Sequence, residues 1–183
     1  MKCARCQKEV EKNMPQDGMC QNCFVDLVEN RARKALSGKN LKKGDKILIV
    51  DDGSKEFIVG EYLFKKILEK IPLTINVKKK DKIDLEKAQK EYTAIILPQD
   101  MDDEAETLIT AMIENKPLQK EKIINVLQNV YDKEVKLYAD IHKFDYLEQE
   151  KGKIQKAISK IEKSYPQVQF AIVQSIKSMQ KKK

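Results

Sequence analysis

Apolar and polar positions along this chain fall into short blocks whose period changes repeatedly. After a polar, cysteine-bearing start, Phe24, Leu27, Val28, Ala35 and Leu36 recur at helical spacing, and Gly38 follows as a residue suited to a helix end. Asn40–Asp45 is polar and reads as a connector. Ile47–Val50 is a continuous apolar run of branched residues, followed by Asp51, Asp52 and Gly53. That is the pattern of a buried parallel strand entering a tight loop. Phe57, Ile58, Tyr62, Leu63, Ile67 and Leu68 then share a helical face, and Pro72 closes the helix. A second strand is predicted at Leu73–Val77, a short polar helix at Asp84–Lys90, and a third buried strand at Ala94–Leu97, ended by Pro98. An amphipathic helix over 102–114 is expected to turn Ala105, Leu108, Ile109, Met112 and Ile113 inward. Ile123–Leu127 is expected as a fourth strand. The rest reads as helical over 131–142 and 148–163, with a break at Pro166, a last helix to 178, and a frayed tail at Lys181–Lys183.

Strands alternating with helices at this spacing predict an α/β fold built on a parallel, doubly wound sheet. Ligands of such sheets sit at the carboxyl ends of the strands, where the strand order reverses. That directs attention to the loop after Val50 and the end of Ala94–Leu97. The expected division is a 1–44 unit, holding the cysteines and a linking helix, and a 45–183 α/β domain with a helical C-terminus.

All four cysteines, Cys3, Cys6, Cys20 and Cys23, lie at the start in a C-x2-C-x13-C-x2-C pattern. Two close pairs joined by a short loop bring four thiolates to one tetrahedral centre, which suits a structural zinc in a zinc ribbon. An iron–sulfur cluster is the alternative that spacing leaves open. With no cysteine after Cys23, nothing downstream can act as a thiol nucleophile or persulfide carrier. No apolar run approaches the roughly 18 residues of a membrane span, and the N-terminus lacks a signal peptide's apolar region. The expectation is a soluble, cytoplasmic protein without a membrane partner.

Net charge is +7, but it is uneven: +4 over residues 1–45, −5 over 46–150 and +8 over 151–183. Basic ends suit a polyanion, because lysines near phosphates release counterions; a solvated Lys-rich surface is the competing account. Lys153, Lys156, Lys160 and Lys163 are the candidate contacts. Lys78–Lys80 and Lys82 read as a solvated loop after the second strand, with tRNA contact as the alternative. Asp102, Asp103 and Glu106 have the spacing of an acid/base or magnesium cluster, but acidic residues also favour a helix's first turn through its dipole. His142, the only histidine, reads as a surface or satisfied residue. Lys55 is placed either to meet an RNA phosphate or to neutralise Asp51 and Asp52.

Three segments carry a family resemblance. Ala94–Pro117 contains Asp102-Asp103-Glu104-Ala105-Glu106-Thr107, Glu134-Val135 is followed by Tyr138-Ala139, and Tyr165–Ser175 runs YPQVQFAIVQS. Together with the cysteines and the first strand, these resemble the PP-loop ATP pyrophosphatase family, in its tRNA-thiolating branch, along nearly the whole chain. Active members carry Ser-Gly-Gly-x-Asp-Ser after the first strand, a loop whose backbone N–H groups bind the ATP pyrophosphate. Here the loop is Asp51, Asp52, Gly53, Ser54, Lys55, Glu56. Two carboxylates stand where phosphate would sit, costing about 1–4 kcal/mol each at about 4 Å. The family's Gly-His before the Asp-Asp element is Leu97-Pro98-Gln99-Asp100, its Arg-Pro-Leu is Asn125-Val126-Leu127, and its catalytic-domain cysteines are missing. Lost nucleotide and sulfur chemistry on a kept fold resembles the non-catalytic second subunit of the cytosolic tRNA thiouridylase. The resemblance implies no catalytic residues and no ATP binding at Asp51–Ser54. It also implies a catalytic PP-loop paralogue as partner in a heterodimer, and 2-thiolation of wobble uridine in tRNA; the basic charge of residues 151–183 then points to the four C-terminal lysines as the tRNA contacts. A divergent stand-alone ATP-dependent tRNA sulfurtransferase and a zinc-ribbon RNA-binding adaptor are the alternatives.

Overall fold

The computed structural model describes residues 2–10, 18–116, 122–165 and 168–180. In chain order the elements are α1 (Gln21–Leu36), β1 (Lys46–Asp51), α2 (Lys55–Ile67), β2 (Thr74–Lys79), a single 3-10 turn (Lys80–Lys82), α3 (Leu85–Glu91), β3 (Ala94–Ile96), α4 (Met101–Ile113), β4 (Ile123–Ile124), α5 (Asp132–His142), α6 (Lys153–Glu162) and α7 (Val168–Gln180). The strands form a parallel sheet of order β2-β1-β3-β4. The order reverses between β1 and β3, so the doubly wound α/β architecture expected from the alternation is the one observed.

Strand period explains how one sheet serves two faces. In β1, Ile47 and Ile49 point into a core shared with α1, α2 and α5, while Leu48 and Val50 point to the opposite face under Ala88 and Tyr92. Ala94 and Ile96 of β3 join the first face and Ile95 the second. A run apolar at every position is what a strand covered on both sides requires, and each such side chain gains about 1.5–3 kcal/mol on burial. A separate apolar cluster, Met101, Ala105, Leu108, Ile158, Val173 and Ile176, joins α4, α6 and α7.

The linking helix α1 is built into the main core through Phe24, Val28, Ala32 and Leu36. It is also tied down by a buried carboxylate. Glu29, 6% exposed, accepts from Lys66 Nζ at 2.8 Å, Arg33 at 3.2 Å and the Tyr138 hydroxyl at 3.3 Å. Arg31 pairs with Glu134 of α5. These contacts hold the carboxyl of Glu29 below its ordinary value despite burial, which acts the other way.

Several boundaries differ from the periodicity reading. β2 runs on to Lys79, so Lys78 and Lys79 belong to the edge strand and not to a loop beyond it. β4 is two residues long, because Asn125 turns the chain by accepting from the Leu127 N–H. α6 begins at Lys153, five residues later than expected, since the preceding segment is spent on the β1 loop. Met112 and Ile113, expected inward, are 55% and 74% exposed, because α4 meets its neighbours through its first turns. Pro117, Pro166 and Lys181–Lys183, with the break and tail expected there, lie outside the described residues. Among the described residues no helix is long and apolar enough to cross a membrane.

Candidate functional site

The loop after β1 sits at the strand-order reversal. Gly53 takes φ +74°, a left-handed conformation that costs glycine little. That bend folds two carboxylates back onto the loop's own backbone: the Gly53 N–H donates to Asp51 at 2.9 Å, and the Ser54 N–H to Asp52 at 3.1 Å. Ser54 caps α2, its hydroxyl accepting from the Phe57 N–H at 3.1 Å. Three N–H groups that an anion would need are thus held by side chains of the same loop. Asp51 is paired with Lys79 Nζ at 2.8 Å. The segment before α6 lies across the loop, with the Leu147 N–H bonded to the Gly53 carbonyl at 3.0 Å and Gln149 reaching the Asp52 carbonyl at 3.4 Å. A β-carbon on Gly53 would come 3.1 Å from Leu147 Cδ1.

Lys55 does not pair with Asp51 or Asp52. Its ammonium lies 2.7 Å from both Glu56 and Asp132. Burial alone would lower its pKa, but the hydrogen bonds to Asp132 and Glu56 override this and raise it. Asp132 is lowered against burial by Lys55 and by Lys151, the latter at 2.9 Å.

The acidic helix start divides its roles. Asp100, 1% exposed, caps α4 by accepting from the Asp103 N–H at 2.9 Å, and Asp103 accepts in return from the Asp100 N–H at 3.2 Å. Asp102 accepts from the Asp132 N–H at 2.9 Å and from Gln169 Nε2 at 3.0 Å. It therefore ties α4 to α5 and α7, and does not face a ligand alongside Glu106. The carboxylates the fold brings together are Glu56, Asp100 and Asp103, with oxygens within 4.8 Å. Burial raises Asp103 to about 6 and puts Asp100 well above the carboxylate range, helped by Asp103. Glu56 joins from a different element 44 residues earlier, a juxtaposition that no local spacing signals. The adjoining open cleft, about 190 Å³, includes Asp52, Lys55, Gln99, Thr107 and Lys151 in its walls. His142 is satisfied: its Nδ1 lies 2.9 Å from the Tyr138 carbonyl and its ring stacks on Tyr138 at 4.2 Å.

The four cysteines meet as their spacing predicts. Cys3 and Cys6 lie on a turn closed by the Cys3 N–H to Lys8 and the Gln7 N–H to Cys3. Cys20 is the N-cap of α1 and Cys23 lies in its first turn, where the helix dipole favours negative charge. Their sulfurs lie within 4.8 Å of one another, Cys6 and Cys20 at 3.6 Å, and the Cys20 N–H points at Cys3 Sγ at 3.3 Å. Backbone hydrogen bonding, first around Cys6, lowers Cys3 to about 6, whereas burial pushes Cys23 up to about 12. One tetrahedral ion with metal–sulfur bonds of about 2.3 Å needs sulfurs about 3.8 Å apart. The four thiols fit a single ion of that kind.

Lys153, Lys156 and Lys160 lie on α6 with Lys163 at its C-cap, all four exposed. None of the four lines the cleft at the strand ends, although Gln155 of the same helix does.

No protein-family model matches the sequence, and no curated protein matches it. Among solved structures the chain is similar to the U34-tRNA thiolase NcsA from Methanococcus maripaludis, a structure described with its 4Fe–4S cluster. The TM-score is 0.77 at 17% identity, over 98% of this chain and 87% of that one. The chain therefore has the α/β fold of that thiolase along nearly its full length.

Proposed function

We propose that this chain is a non-catalytic subunit of a tRNA wobble-uridine 2-thiolation complex, scaffolding a catalytic PP-loop paralogue and helping to position tRNA. One observation carries the reading: on a thiolase fold, the β1 loop has turned its N–H groups onto Asp51 and Asp52. A nucleotide phosphate would have to displace these carboxylates and overcome their charge, at about 1–4 kcal/mol each. Cysteines for sulfur transfer are missing from the sequence beyond Cys23. Cys3, Cys6, Cys20 and Cys23 hold one structural zinc, which cross-links the start of the chain to α1. The protein works in the cytoplasm, and Lys153, Lys156, Lys160 and Lys163 meet the tRNA backbone.

Deleting the gene should abolish 2-thiouridine at the wobble position, and the tagged protein should bring down a PP-loop paralogue. Unchanged thiolation overturns the reading. Calorimetry with magnesium and ATP should give no heat of binding. A micromolar dissociation constant, about −8 kcal/mol, would instead favour a stand-alone sulfurtransferase. Retained RNA binding with no paralogue partner would favour a zinc-ribbon adaptor.

A further inference from the structure

The spacing of Lys153, Lys156, Lys160 and Lys163 confines them to a stripe about 80° wide. Ile154 and Ile158, on the opposite side, pack toward α4 and α7. None of the ion pairs among the described residues uses these four lysines. Glu162, the one carboxylate in 151–183, is engaged elsewhere: Lys133 reaches it at 3.4 Å and Gln169 Nε2 at 2.9 Å. The stripe keeps its positive charge.

Beyond Glu162 the chain turns tightly, the Tyr165 N–H bonding to the Ile161 carbonyl at 2.9 Å. The Gln169–Glu162 hydrogen bond sets the first turn of α7 beside the last turn of α6. At this corner Ile161 is 48% exposed, Tyr165 69% and Phe170 43%. The apolar cluster of α4, α6 and α7 takes Val168, Ile172, Val173 and Ile176 and includes neither aromatic ring. Large apolar side chains grouped in solvent mark a contact surface. Lysines alone suit any polyanion, but open aromatic faces add a demand for a flat apolar partner. Unpaired nucleotides offer phosphates to the lysines and free base faces to the rings, whereas a duplex keeps its base faces stacked inside.

We propose that Tyr165 and Phe170, beside the lysine stripe of α6, form a stacking platform for unpaired nucleotides of an RNA. This rests on the tRNA-related reading above and names how that RNA is held. The test uses the full, metal-loaded chain, an unstructured RNA of about 16 nucleotides and a duplex of equal length, followed by fluorescence anisotropy across a salt series. The single strand binds more tightly than the duplex. Tyr165→Ala combined with Phe170→Leu, which keeps apolar bulk but removes the ring, weakens single-strand binding about tenfold with the salt slope unchanged. Tyr165→Phe keeps full affinity. Lys156→Glu with Lys160→Glu weakens strand and duplex alike and flattens the slope. Equal affinity for strand and duplex, or ring-deleted variants that bind as the parent does, overturns the proposal. Ring-deleted variants that bind RNA normally but release a copurifying protein would identify the corner as a protein interface. Because the readout is binding by the purified chain, it fails or holds independently of cellular thiolation.

Discussion

Asp51, Asp52 and Asp103 show how a carboxylate's role depends on what its oxygen reaches. Asp51 and Asp52 bond N–H groups two residues on, so Gly53 and Ser54 are held by side chains that precede them. Asp103 lies within a carboxylate cluster with Asp100 and Glu56, and burial raises it from 3.8 to about 6. Between those values the folded chain keeps a proton that the unfolded chain releases, so stability declines as pH climbs through that window and is fullest below it. The loss amounts to up to about 3 kcal/mol at neutral pH. Urea unfolding from pH 4 to 7 should show this fall, to which buried Asp100 adds, and Asp103→Asn, with no charge to suppress, should make it shallower. A parent curve that rises across the window would contradict the assignment.

At the scale of elements, α1 couples the cysteine cluster to the sheet. Cys20 and Cys23 form its N-terminus, and Glu29 joins it to Lys66 of α2 and Tyr138 of α5. Removing the metal should therefore release the turn around Cys3 and Cys6 while α1 stays docked. Elemental analysis should find about one zinc per chain in the parent and little in Cys20→Ser; iron in its place refutes the zinc assignment. Chelation should lower the melting temperature and remove only a small part of the helical circular dichroism. Loss of most helical signal would show that α1 depends on the metal. Glu29→Ala, which strands Lys66 and Tyr138, should cost about 2 kcal/mol in chemical unfolding with the zinc retained.

For the whole molecule, the cleft at the strand ends and the lysines of α6 are separate surfaces. The cleft is bordered by Asp52, Glu56, Asp103, Glu106, Asp132 and Glu150 against Lys55, Lys80 and Lys151, a balance that repels phosphates. The cleft is therefore a poor seat for a polyanion. Reversing Lys153, Lys156, Lys160 and Lys163 to Glu should weaken tRNA binding by the complex and reduce the salt slope by about 0.7–0.9 per lost phosphate contact. Subunit association, measured by co-purification, should persist. Thiolation lost in the deletion but intact in the lysine variants would leave the chain a stabiliser of its partner with no tRNA contact.

The α/β class, the order reversal beside the β1 loop and the meeting of the four cysteines were legible in the sequence, because each rests on local spacing. Ile47–Val50 could be covered on both sides only in a parallel sheet, and two C-x2-C pairs can close on one centre. Tertiary structure decided what spacing does not encode. Lys55 stands beside Asp51 and Asp52 in the chain, yet it is drawn to Glu56 and Asp132, because α5 brings the second carboxylate within 2.7 Å. Asp102 bonds backbone and amide groups 30 and 67 residues away, so its helix-start pattern could not reveal that it fastens α4 to α5 and α7. Glu56 joins Asp100 and Asp103 only because α2 and α4 both begin at the strand-order reversal, and Tyr165 and Phe170 are left in solvent only because α7 folds back on α4. Local periodicity fixes which face of an element is apolar; which distant groups share that face depends on how the elements pack.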